Sequence, residues 1–548
     1  MNPPQGLGFA MAYQSKNLDH LGLVAGMCQE VELAKIIDEQ IPSYAPDKVV
    51  SHGQATVAMI LNGLGFINKA LYMVPKFFED KPVDRLPGQG IAPDHLNDDA
   101  LGRTLDALYT YGVTPLFSRI SQHAAGMLGL SSKAAHLDST SFHVDGQYNH
   151  EHPPQDEEKV IHITKGYSRD HRSDLNQVCL NLICESQAAI PVFMQAASGN
   201  ASDKTDFRRI IAQHVLQLRN HLGVEYIVAD SSLYTEKTLE MLGAHMPFIT
   251  RVPETLKEAK DAIFKVNPDE MISIDDAYSY QVVLSNYAGV RQRWLIMRSE
   301  QASRGEHRTL IKKISRDTEN EYKQFQKLKS WEFACAEDAL KACRKLQATF
   351  TYSQMLDLTA YAVKKYANRG KPSAKTAVKH TVYRIEGTLV CSISNIREVE
   401  KKLGLFILAT NDLDDMRLSA QEVLALYKGQ SKSERGFKFL KSPYFLAASF
   451  FVKKPERIEA LLMIMTLCLL VYAALEYRIR QQLRKEERTV PNQVGKPVQN
   501  PTARWIFECF VGIHVLNMPH AQQLVLNLQE RHWRILQLLG HRYIPLYS

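Results

Sequence analysis

Apolar residues recur at helical spacing along three early stretches, Leu21–Ile37, Gly53–Asn68 and Asp99–Leu108. Asn97, followed by Asp98 and Asp99, supplies an N-cap with acids in the first turn, where they complement the helix dipole. Pro82, Pro87, Gly88, Gly90 and Pro93 mark the loop before that helix. Residues 1–125 are therefore predicted to form a helical N-terminal domain. Such a unit suits DNA binding, and it suits a scaffold or dimerisation role equally well.

Beyond Leu130 the hydrophobic period shortens. Ala134–Val144 reads as a strand containing Asp138, and Val160–Thr164 as a short one. Gln177–Glu185 and Ile190–Ala196 are β-rich runs that predict a hairpin, and Asp206–Leu222 is an amphipathic helix. Glu225–Ala229 is a buried strand ending at Asp230. Thr235–Leu242 reads as a helix and Pro247–Val252 as another strand. Antiparallel strands, helix, strand, helix, strand is the order of an RNase H-like mixed sheet. Residues 130–262 are thus predicted to be the first half of an α/β core.

Residues 263–412 interrupt this order. Tyr278–Asn286, Gln292–Met297, Thr381–Ser394 and Leu405–Thr410 predict strands around a charged helical stretch, about Arg308–Lys345. This is expected to be an insertion domain. Helical character returns in 413–480, over Ser419–Tyr427, Glu434–Leu440 and, running a little past that block, Arg457–Leu483. Residues 481–548 hold a basic stretch, Arg484–Arg504, and a predicted helical pair, Trp505–Leu516 and Ala521–Leu539.

Composition narrows the class. A chain of 548 residues is expected to hold three or four structural units. Its net charge of +7 fits contact with nucleic acid. Eight cysteines are scattered with no CxxC pair, so neither a zinc module nor a disulfide framework is indicated, and a reducing, cytoplasmic setting is expected. Met1–Gly8 carries no basic run, so no secretory signal is expected. Ala460–Leu475 is almost wholly apolar, but it spans roughly 24 Å against a hydrocarbon core of ~30 Å. Arg457, Glu459, Glu476 and Arg478 bracket it, which predicts a buried core helix and no membrane partner.

Phosphodiester chemistry with divalent ions asks for carboxylates at fixed places, holding two ions ~4 Å apart. Mg²⁺ takes hard oxygen ligands and keeps several waters, so three protein carboxylates suffice. Asp138 lies within the first core strand, and Asp230 ends the buried strand Tyr226-Ile227-Val228-Ala229. The predicted sheet order makes those strands neighbours. Either aspartate alone is ordinary, because Asp often ends a strand by starting a turn. The pair on adjacent strands carries more weight. Glu434 offers a third carboxylate with two readings. Ser431-Lys432-Ser433-Glu434 matches a capping box, whose glutamate only satisfies a backbone N–H. Glu434, Lys438 and Lys441 also share one helix face, where the lysines could grip DNA phosphates beside a metal ligand. Spacing alone leaves these even. Lys165, Arg169, His171 and Arg172 form a basic turn between strands, either solvated surface or a DNA contact beside Asp138. His143, His150 and His152 lie in the context of an exposed loop and lack zinc spacing.

The segment Tyr427-Lys-Gly-Gln430-Ser-Lys-Ser-Glu434-Arg-Gly-Phe-Lys-Phe-Leu-Lys441 resembles a known signature, Tyr-x2-Arg-x3-Glu-x6-Lys. That signature belongs to a superfamily of bacterial insertion-sequence DDE transposases, family four of the insertion sequences. Gln430 stands where the family has Arg. His136–Phe142, Gly166–Arg172, Ser198–Asp203 and Ala503–Phe507 also resemble its members. The resemblance implies an RNase H-like α/β core interrupted by a β-rich insertion. It implies Asp138, Asp230 and Glu434 as catalytic metal ligands for two Mg²⁺ or Mn²⁺ ions. It implies DNA contacts from Tyr427, residue 430 and Lys441, with Arg435 or Lys438 able to compensate for the missing arginine. Arg169 and Arg172 join that expected DNA surface because their loop connects strands of the catalytic sheet. The expected partners are transposon terminal inverted repeats and target DNA, engaged by a homodimer at the bacterial nucleoid. The expected function is DNA transposition by end cleavage and strand transfer. Its rivals are an RNase H-like nuclease or resolvase that cuts without joining, and an inactive transposase-derived DNA-binding protein.

Overall fold

The computed structural model describes residues 13–43, 49–144, 160–167, 172–367, 376–441, 452–518 and 523–548. The chain opens with β1 (Gln14–Asn17), α1 (Leu21–Glu30), α2 (Leu33–Gln40), α3 (His52–Leu64), α4 (Val74–Phe78), α5 (Asp98–Tyr111) and α6 (Val113–Met127). Asn97 caps α5 as its sequence predicts, accepting from the Ala100 N–H at 2.9 Å.

Then come β2 (Ala134–Val144), β3 (Asn176–Glu185), β4 (Pro191–Ser198), α7 (Asp203–Leu222), β5 (Tyr226–Ala229), α8 (Glu236–His245) and β6 (Phe248–Arg251). β2, β3 and β4 form an antiparallel meander. β5 returns beside β2 in parallel, and β6 lies parallel to β5. The resulting order, β4-β3-β2-β5-β6, is the RNase H-like arrangement.

The next elements are α9 (Lys257–Lys265), β7 (Ile272–Asp275), β8 (Tyr278–Ser285), β9 (Gln292–Ser299), α10 (Glu300–Lys329), α11 (Ala336–Gln347), β10 (Ser353–Tyr366), β11 (Val378–Cys391), α12 (Ile393–Glu400) and β12 (Leu405–Thr410). This stretch divides in two. β12, β9, β8 and β7 extend the central sheet outward from β6, giving nine strands among the described residues. α10, α11, β10 and β11 instead enclose a small core of their own around Phe325, Ala339, Cys343 and Ile385.

The chain ends with α13 (Ala420–Leu440), α14 (Pro455–Lys485), β13 (Val490–Pro491), β14 (Pro497–Val498), α15 (Ala503–Cys509), β15 (His514–Asn517), β16 (Gln523–Leu526) and α16 (Glu530–Leu539). Three local expectations change here. Ala521–Leu539, read as one helix, holds the strand β16, paired with β15, before α16 begins at Glu530. α13 is one continuous helix where the pattern suggested two. Trp505–Leu516, read as a helix, gives way to β15, which pairs with β1 from Gln14↔Asn517 to Asn17↔His514. That partner comes from the opposite end of the chain and overrides local preference.

α14 is long and apolar enough to cross a membrane, yet it is the buried axis of the protein. Its Leu462, Cys468, Leu470 and Leu475 are fully buried in one cluster with Leu23 of α1, Ile60 of α3, Leu105 of α5 and Leu536 of α16. Each such leucine contributes on the order of 1.5–3 kcal/mol by leaving water. The N-terminal helices and the C-terminal segment therefore share a core.

His20 sits at that junction. Its ring stacks on Phe507 at 4.4 Å and meets Phe66 edge-on at 4.3 Å, while Nε2 lies 2.8 Å from the Leu64 carbonyl oxygen. Burial lowers its pKa to about 4 from 6.5, against the opposing effect of the Leu64 bond. The unfolded chain therefore binds a proton that the folded chain refuses. The stability this histidine contributes is complete above about pH 6.5 and is lost as pH falls toward about 4. His20→Gln should flatten that limb of a plot of melting temperature against pH. An unchanged limb would show that the ring already titrates normally in the folded protein.

Candidate active site

Alternation along β2 and β5 decides which side chains share a face. Ala135 and Leu137 of β2, with Ile227 and Ala229 of β5, enter the core beneath α7 and α8. Ala134, Tyr226 and Val228 enter the opposite core, under α13. His136, Asp138 and Asp230 follow this second set and face α13. Parallel register pairs Leu137 with Ala229, so Asp138 and Asp230 are the next residues on adjacent strands. Neighbouring strands lie about 4.8 Å apart.

Asp138 is 6% exposed, and its Oδ1 accepts from the Ser139 N–H at 2.8 Å. Asp230 is half-buried. Its Oδ1 accepts from the Ser232 N–H at 2.9 Å, and its carbonyl accepts from the Thr250 hydroxyl at 2.8 Å, which ties the end of β5 to β6.

α13 is fixed at its start by a reciprocal capping box, Ser419 with Glu422, and by Lys133 Nζ at 2.9 Å from Glu422. Ser419 is thus the cap, and Glu434 lies deep in the helix interior. The capping-box reading of Ser431–Glu434 does not hold. One helix face carries Val423, Tyr427, Gln430, Glu434, Lys438 and Lys441. It begins in the core under the sheet and ends in solvent. Val423 is buried, Tyr427 partly so and Gln430 is 7% exposed, whereas Glu434 and Lys438 are exposed and Lys441 is half-buried. Gly429 lets this helix approach β2: a Cβ there would lie 3.0 Å from His136 Nε2.

Tyr427 registers the charges around it. Burial pushes its phenol pKa up and Arg251 draws it down, while Asp230, Glu434 and Asp138 each push it up. One side chain thus lies in the field of all three carboxylates, Asp138 within β2, Asp230 just past the end of β5 and Glu434 on α13. Among the described residues, no three His, Cys, Asp or Glu side chains converge to metal-binding spacing. The carboxylates stand wider apart than a closed metal cage.

Sequence reasoning missed Arg251. It follows Ile249 on the α13 face of β6 and pairs with Glu254 at 2.6 Å. Only sheet register brings it to Tyr427, and no local motif marks it.

Two of the resembling segments meet at the far end of β3. A Cβ on Gly166 would lie 2.0 Å from the Gly199 carbonyl oxygen, so only glycine allows this approach. The Gln177 amide donates to the same oxygen at 2.7 Å. Arg172, beyond this contact, is exposed and held by Asp174 through bonds of 2.9 and 3.0 Å. Arg169, His150, His152 and His171 lie outside the described residues.

A model of the transposase DDE domain matches residues 132–471. The chain belongs to the DDE transposase family. It is a DNA transposase, and enzymes of this family generally use divalent metal ions. The matched region runs from β2 into α14 and contains Asp138, Asp230 and Glu434. A domain of unknown function (DUF4277) matches residues 13–122, which are β1 and the helices ahead of the sheet. No curated protein matches the chain. Among solved structures it is similar to the piggyBac transposase synaptic complex with hairpin DNA, at 8% identity and a TM-score of 0.39. That likeness covers 90% of this chain and 79% of the other.

If α13 must sit against β2 for the transposase to work, widening that contact should cost activity. Gly429→Leu places a branched side chain against the His136 ring. It should lower DNA cleavage by about tenfold or more, the scale of a 1.4 kcal/mol loss, while DNA binding is largely kept. Full cleavage by this variant would show that the spacing between helix and strand does not govern the reaction.

Proposed function

We propose that this transposase cuts at the ends of a mobile DNA element and joins the freed 3′-OH to target DNA. Asp138, Asp230 and Glu434 hold two divalent ions, Mg²⁺ or Mn²⁺, for both steps. The observation that supports this best is the pairing of β2 with β5, which brings two aspartates together beneath the helix bearing Glu434. The donor set suits the ions: carboxylate oxygens are hard ligands, and three of them leave coordination places for water and phosphate. Bound ions would activate the attacking oxygen and offset charge on the leaving one.

The chain's own residues orient the DNA and neutralise its phosphates. Lys438 is exposed one turn beyond Glu434, Lys441 closes the same helix face, and Arg251 of β6 acts on Tyr427 of that face. Spacing of Tyr427, Glu434 and Lys441 supports membership of the insertion-sequence superfamily named above, and hence a bacterial, cytoplasmic enzyme acting as a homodimer on paired inverted repeats. Residue 430 is the least accessible of the proposed DNA contacts, because Gln430 is buried. Arg172 and Arg169 are proposed to add contacts from the loop beyond β2.

Asp138→Asn, Asp230→Asn and Glu434→Gln should each reduce cleavage and strand transfer by about a thousandfold or more, since each removes a charged ligand worth several kcal/mol in the transition state. Binding to end DNA should persist. Near-normal cleavage by Glu434→Gln would remove that residue from the site. Wild-type cleavage without any joined product would favour the nuclease reading.

A further inference from the structure

We infer that the β10–β11 ribbon is a second DNA-binding element, an arm that lies against duplex DNA away from the carboxylates. The inference rests on the transposase reading above and adds a surface to it.

β10 and β11 pair with each other and with no strand of the central sheet. Each has 14 residues, so each is about 46 Å long at about 3.3 Å per residue, well beyond an ordinary strand. The base is firmly seated. Met355 and Ile385 are buried against Phe325 and Cys343, and Phe333 bridges to Tyr383. A register shift between Leu356 and Thr359, with Asp357 at φ 53°, falls within that seat, between Met355 and the pair Ala360↔Ile385.

Farther out the ribbon meets solvent and turns basic. Tyr361, Ala362 and Lys364 on β10 and Val378, Lys379, His380 and Thr381 on β11 are exposed. Its described residues from Leu358 to Ile385 hold four lysines and arginines, Lys364, Lys365, Lys379 and Arg384, and no aspartate or glutamate. Glu332, at the base, takes up two of these cations, Lys365 at 2.6 Å and Arg384 at 2.5 Å. Lys364 and Lys379 form no ion pair among the described residues. Cations crowded on one narrow ribbon repel one another, and a polyanion laid along it relieves that cost. The major groove of B-DNA is about 12 Å wide and admits a two-stranded β-ribbon. Length, charge and exposure therefore fit a nucleic-acid duplex, and a strand surface with two lysines standing out from it fits backbone contact.

The test uses the full-length protein and a short mixed-sequence DNA duplex, with binding measured as a function of salt. Lys364→Gln combined with Lys379→Gln should lower the salt slope by about two counterions and weaken binding by about tenfold at moderate salt. Lys257→Gln with Lys260→Gln on α9, across the sheet from α13, removes the same charge and should change neither. Equal losses in both double variants would reduce the effect to net charge and overturn the ribbon assignment. So would an unchanged slope in the ribbon variant beside a wild type that binds well. Displacement of the duplex by polyglutamate at equal charge would mark a site for acidic protein and would also overturn it. A wild type that binds no duplex would sink the transposase reading itself, a result distinct from any of these.

Discussion

The parallel pairing of β2 with β5 is the constraint on which the rest of this enzyme depends. Ala134 pairs with Tyr226 and Leu137 with Ala229, and the start is fixed where the Glu225 and Tyr226 N–H groups both reach the Lys133 carbonyl, at 2.9 and 3.0 Å. A slip of one residue would turn every β5 side chain to the other face and carry Asp230 away from α13. Both faces are packed, so such a slip would also expose Ile227 or Val228 to the wrong core. Hydrophobic burial on two sides thus sets the position of two charged groups that contribute nothing to that burial.

The third carboxylate depends on a different contact. α13 is held between β2 and α14, with Gly429 against His136 and Gly436 against Leu469, where a Cβ would lie 3.1 Å away. Lys432, on the same side of the helix as these glycines, donates to the Ser186 carbonyl at 3.0 Å. The capping box and the Lys133–Glu422 pair hold the first turn. The long apolar helix α14 therefore has a functional consequence beyond stability. It is the surface that presses the helix carrying Glu434 toward the sheet.

The parts legible in the sequence are those set by local period. The RNase H-like strand order, the N-cap at Asn97 and the placing of Asp138 and Asp230 on core strands all follow from short-range patterns. The continuity of α13 was hidden because Gly429, Ser431, Ser433 and Gly436 are poor helix formers, and tertiary packing overrides them. β15 was hidden because its partner β1 lies at the other end of the chain. β10 was missed because its exposed half has no apolar face to reveal a period of two. Of the strands in 263–412, β8, β9, β11 and β12 were visible and the four-residue β7 was not, and nothing local says that β8, β9 and β12 would join the catalytic sheet. Arg251 shows the same limit at the site itself, since a single arginine ending a strand has no signature until register gives it neighbours.

The central claim is that Asp138, Asp230 and Glu434 surround one ion-binding reaction centre. Replacing Mg²⁺ by Fe²⁺ in the presence of ascorbate and peroxide would generate hydroxyl radicals at the bound ion and cut the polypeptide nearby. Mass spectrometry of the fragments reads the positions directly. The account predicts cuts clustered around residues 138, 230 and 434 together, all lost in Asp138→Asn. Cuts confined to one of these segments, or clustered elsewhere in the chain, would contradict it.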